Sequence, residues 1–122
     1  MVDAPGTQGA TIVVHLPGEI DMANADRVSE ELHAAFGPGI GIVIADMSVT
    51  RFCDSSGIHA LVIAHQRAQA SNTQFRVVAG PGEVRRVLEI MRLDTVLAIY
   101  PRLDVALVAG DRNESNDQDP PA

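Results

Sequence analysis

Four consecutive apolar residues, Ile42, Val43, Ile44 and Ala45, constrain the fold of this chain more than any other feature. A strand without polar alternation needs cover on both faces, the condition of a strand inside a largely parallel sheet. Parallel neighbours need long crossovers, usually helices. The rest of the chain has the patterns for both. Residues 11–16 read as a strand rich in β-branched side chains, 75–79 as a short buried strand and 96–99 as a last one. After the Pro17-Gly18 break, Glu19-Ile20 resumes as a short edge strand. Asp21 is placed to N-cap a helix in which Met22, Ala25, Val28, Leu32, Ala35 and Phe36 recur at three- and four-residue steps. Gly37-Pro38-Gly39 ends it. Residues 48–53 read as a connector. A second helix spans about 55–70, with Ile58, Leu61, Val62, His65 and Ala68 on one face. Pro81 opens a third near its first position, with Val84, Val87, Leu88 and Met91 as its stripe. A short helix over 101–109 turns Leu103, Ala106 and Leu107 inward. This order predicts an α/β fold: a mixed, largely parallel β-sheet with helices packed against it. Its functional edge is expected beyond the carboxyl ends of the strands.

Length and composition remove whole classes of function. With 122 residues the chain fits one domain, expected over 11–110. Residues 1–10 are small and polar and read as a flexible N-terminus; 111–122 read as a disordered acidic tail. Aromatic residues make up 3%, too few for a base-stacking platform. The net charge is −7, and all nine basic residues are Arg. Neither a nucleic-acid footprint nor attraction to anionic membranes is expected. Without Lys there is no Walker A lysine and no Schiff base. The single cysteine, Cys53, excludes an internal disulfide and reads as a small buried residue. Met22, Met47 and Met91 read as core fillers, Asp46 as a strand end in solvent and Arg85-Arg86 as a solvated helix face. His15, His33, His59 and His65 lack metal spacing, so no metal and no cofactor are expected. No signal peptide is visible and no apolar run approaches a membrane span, so the expected location is the cytoplasm.

The chemistry concentrates at Cys53-Asp54-Ser55-Ser56-Gly57, where a strand hands over to a helix. Plain capping explains an Asp and two Ser at such a junction. The same geometry offers free backbone N–H groups and a partial positive charge, which suit a phosphate. A serine hydroxyl there tolerates phosphorylation.

Asp54-Ser55-Ser56-Gly57-Ile58 resembles the Asp-Ser-Ser/Thr-Gly-Leu signature of the STAS-domain anti-sigma factor antagonist family. Leu16-Pro17-Gly18-Glu19-Ile20-Asp21 is similar to that family's Leu-x-Gly-Glu-Leu-Asp stretch. Val84 to Glu89 with Leu93 resembles its helix before the last strand. The resemblance implies that Ser55 is the phosphoacceptor. It implies a binding surface of Asp21, Asp54, Ser56, Gly57 and His59. It also implies two partners: an anti-sigma factor with serine kinase activity, bound by the unphosphorylated form, and a serine phosphatase. Regulation of sigma-factor-dependent transcription, in stress responses for instance, would follow. Three positions depart from the pattern: Pro17, Met91-Arg92 where a Gly often ends the third helix, and His59 in place of a small residue. Two other readings stand beside this one. One is a STAS scaffold subunit of a stress-signalling complex. The other, more remote, is a serine hydrolase pairing Ser55 with His59, although no Gly-x-Ser-x-Gly elbow surrounds Ser55.

Overall fold

The computed structural model describes residues 9–110. The expectations for residues 1–8 and for the acidic tail lie outside the described residues. In chain order the elements are β1 (Ala10–His15), β2 (Glu19–Ile20), α1 (Ala25–Ala35), β3 (Ile40–Asp46), β4 (Phe52–Cys53), α2 (Ser55–Ala70), β5 (Gln74–Val78), α3 (Glu83–Ile90), β6 (Ala98–Tyr100) and α4 (Leu103–Val108). A 3-10 turn, Leu93–Thr95, separates α3 from β6.

A four-stranded parallel sheet runs in the order β1-β3-β5-β6. The apolar run in β3 is explained by its two neighbours in depth. Val43 and Ala45 enter the large core with α1, α2 and α3, while Ile42 and Ile44 face the opposite way, into a smaller core with Val78 and Ala106 of α4. All four are buried.

The segment 48–53 is more than a connector. Its last two residues form β4, which pairs in parallel with β2 in a separate two-stranded sheet. Pairing between two-residue strands more than thirty positions apart leaves no periodic trace. Side chains and backbone fasten it instead: Thr50 Oγ1 donates to the Pro17 carbonyl at 2.7 Å and the Arg51 amide to the Gly18 carbonyl at 2.7 Å.

Several expectations need correction. Asp21 does not cap α1. It caps a turn, accepting from the Ala23 amide at 2.9 Å, and Asn24 occupies the N-cap position. The chain needs that turn to leave β2, so Met22 stands in solvent, 83% exposed, and α1 begins at Ala25. Of the three methionines expected in the core, only Met47 is buried; Met91 ends α3 on its solvent side. Leu107 is exposed because the six-residue α4 meets the sheet chiefly through Ala106. Pro81 precedes the N-cap Gly82 rather than opening α3. Asp46 is buried, not solvated, and Arg85 is half-buried, donating to the Ala79 carbonyl at 3.0 Å. Where a glycine would end α3, Arg92 adopts the left-handed conformation itself, with φ of 62°.

Candidate functional site

The parallel register of β2 and β4 puts Ile20 opposite Cys53, and the Asp54 amide donates to the Ile20 carbonyl at 3.1 Å. Asp21 and Asp54 are thereby the residues that directly follow the paired positions Ile20 and Cys53. Asp54 is the N-cap of α2. Its Oδ1 accepts from the Ser56 amide at 2.9 Å, from the Gly57 amide at 3.4 Å and from the Ser56 hydroxyl. The Ser56 hydroxyl, with help from both amides, holds the Asp54 carboxyl below the usual carboxylate range.

These bonds separate the two serines. Ser56 is half-buried and spends its hydroxyl on Asp54. Ser55, the first residue of α2, is exposed, as is His59 one helical turn further on. Gly57 is buried and lies beneath this surface rather than on it. A Cβ at position 57 would meet Cys53 Sγ at 2.5 Å and Ile20 Cγ2 at 2.7 Å. The residue that approaches Gly57 closely is therefore Ile20, from within the chain. Burial, reinforced by the charge of Asp54, pushes the Cys53 thiol up to about 11, which leaves little reactive thiolate.

Two apolar side chains close to the aspartates in sequence stay exposed: Met22, next to Asp21, and Phe52, two residues before Asp54, at 48% exposure. The sequence reading missed Phe52 because it missed β4; strand alternation turns Cys53 inward and Phe52 outward. At the far edge, His15 Nδ1 lies 2.8 Å from Asp46 Oδ2, and the Ser48 amide donates to Asp46 Oδ1 at 3.0 Å. Among the described residues, no group of three or more His, Cys, Asp or Glu side chains is placed to hold a metal ion, and no helix is long and apolar enough to cross a membrane.

The profile of the STAS domain family matches residues 1–106. The chain belongs to the STAS-domain anti-sigma factor antagonist family. A Mycobacterium tuberculosis protein that carries the name anti-anti-sigma factor is 31% identical over 105 residues, 84% of this chain and 70% of that protein. The crystal structure of an anti-sigma factor antagonist from Mycobacterium paratuberculosis superposes with a TM-score of 0.73 at 27% identity, covering 87% of this chain and 96% of that one. The fold alone is shared more widely. A sulfate transporter family protein from Wolinella succinogenes reaches a TM-score of 0.70 at 17% identity, over 88% of this chain and 86% of that one. The 31% identical Mycobacterium tuberculosis relative, not the fold, selects the antagonist branch of the STAS family.

Proposed function

We propose that this STAS protein is a regulator, not an enzyme. Unmodified, it binds an anti-sigma factor that is also a serine kinase, and so releases a sigma factor. Phosphorylation of Ser55 ends the binding, and a serine phosphatase restores it. The observation that carries this reading is the division of labour at the start of α2. The Ser56 hydroxyl is bound to Asp54, whereas Ser55 stands exposed. Transfer would join the γ-phosphoryl group of ATP to Ser55 Oγ, with loss of the hydroxyl proton and departure of ADP. The helix end tolerates the new group. The partner would not: a phosphoserine adds about −1.5 to −2 charge beside Asp21 and Asp54. On a chain at −7, facing a kinase that holds nucleotide phosphates, repulsion and desolvation act together. Met22 and Phe52 supply the apolar contact that a protein partner needs at the core of its interface.

The test uses the kinase that co-purifies with the full chain. Ser55→Ala should keep binding and block phosphate transfer, and Ser55→Asp should weaken binding while the melting temperature holds. Phosphate mapped by mass spectrometry to Ser56 but never to Ser55 would refute the assignment. Equal kinase affinity for Ser55→Asp and wild type would refute the charge mechanism.

A further inference from the structure

Phosphorylation at Ser55 poses an electrostatic problem that the unmodified site does not have. The new dianion would sit beside Asp21 and Asp54. The elements packed against α2 bring little relief. From α1 come Asp26 in its first turn, then Arg27 and Glu30, all exposed. β4 carries no charged side chain, and the charged residue of β5, Arg76, is committed to α4 on the other face of the sheet. Arg51 lies upstream, but it lines a cleft with Ser48, Gly80 and Glu83. On α2 itself the remaining basic groups, His65 and Arg67, stand ten and twelve residues on, roughly 15 and 18 Å along the axis.

Among the described residues, His59 is the basic group that shares a helix face with Ser55 at one-turn spacing. It stands four residues beyond Ser55 on a 16-residue helix, and both side chains are exposed. Residues at this spacing share one face, with Cβ atoms about 5–6 Å apart. Helical side chains lean toward the N-terminus, so the imidazole leans over the turn that Ser55 opens. An anion placed N-terminal to a cation at this spacing is also the favourable order.

We infer that His59 is the intramolecular partner of the phosphoryl group on Ser55, a positioning residue that holds the phosphate against α2 in the inactive form. The inference rests on the reading of Ser55 as phosphoacceptor. In the unmodified chain His59 is free to face the partner. In the modified chain it turns to the phosphate, so one event adds charge to the surface and withdraws a contact from it. Coupling of this kind is reciprocal. The phosphate makes the imidazole easier to protonate, and the imidazolium makes the phosphate easier to ionise.

The experiment places phosphoserine at position 55 of the full chain during translation, with no kinase involved. Ring-proton NMR titrations follow His59, with His33 near the end of α1 as the internal control. The His59 midpoint should rise by about 0.2–0.4 pH unit beyond any rise in His33. Phosphorus NMR should show the phosphate titrating lower in this protein than in a His59→Gln version, with Arg51→Ala leaving the phosphate titration unchanged. A His59 rise no larger than that of His33 would overturn the inference. So would a phosphate titration that ignores His59→Gln or responds to Arg51→Ala instead. Because no kinase enters, such a result leaves the assignment of Ser55 standing; kinase mapping to another serine would remove that assignment without touching this measurement.

Discussion

Substitution of Gly57 sets helix propensity against packing. Alanine is the better helix former by about 1 kcal/mol. Against that stand two contacts closer than real Cβ atoms tolerate, to Cys53 and Ile20. Overpacking of this kind costs about 1–3 kcal/mol, so Gly57→Ala should lower stability in urea melts. Adding Cys53→Ala should recover part of the loss by removing Sγ, whereas a Gly57→Ala protein as stable as wild type would contradict the packing argument. Asp46 makes a different kind of prediction. Burial works to raise its pKa, yet hydrogen bonds from Ser48 and from His15 outweigh that and hold the carboxyl below its ordinary value. A depressed folded value means that ionised Asp46 contributes stability above the unfolded carboxylate value, about 3.9, and loses it as pH falls through the lower folded value. The stability advantage of wild type over Asp46→Asn should therefore shrink as pH falls below about 4.

Among the elements, α4 depends most on its surroundings. Six residues cannot hold a helix in water, and its N-cap, Arg102, makes no side-chain capping bond. Its anchor is Arg76 of β5, 1% exposed, which donates to the Ala106 carbonyl at 2.7 Å and to the Gly110 carbonyl at 2.9 Å. The Gln74 side chain accepts from the same guanidinium at 2.8 Å, and the Tyr100 ring centroid lies 5.9 Å away. Hydrogen bonds to charged groups contribute about 1.5–3 kcal/mol each, and their loss leaves carbonyls unpaired. Arg76→Met should cost roughly 2 kcal/mol or more, and hydrogen exchange should show α4 amides opening well before those of β1 and β3. Equal protection of α4 in both proteins would show that Ala106 packing suffices.

At the scale of the whole molecule the two sides of the sheet are unequal. The face toward α1, α2 and α3 carries most of the buried side chains; the face toward α4 carries few. Leu32 and Leu88 are both fully buried in the larger core. Either one changed to Ala should cost about 2–5 kcal/mol and still give a single cooperative transition. Val108, 82% exposed at the end of α4, should tolerate the same change within about 0.5 kcal/mol. A loss at Val108 comparable to that at Leu32 would mean that the second face holds more of the fold's stability than its burial indicates.

What the chain alone determined is what local patterns can carry. Runs of apolar residues, three-and-four spacing and a capped helix start specify the alternation of strands and helices, and all of α2 from Ser55 to Ala70. The Asp-Ser-Ser-Gly signature marked the family for the same reason, being contiguous. The tertiary structure decided everything that depends on pairing across distance. β4 exists only because Gly18 and Ile20 supply its partners, and that pairing fixes the strand ends that Asp21 and Asp54 follow. Asp46 read as a strand end in solvent and is buried, and so is Arg76, because their partners come from β1 and from α4. Met22 fits the helical stripe on paper and lies in solvent, because a turn must be completed first. A periodic pattern states which residues share a face of an element. Which element starts where, and what covers that face, is settled by the free energy of the assembled core.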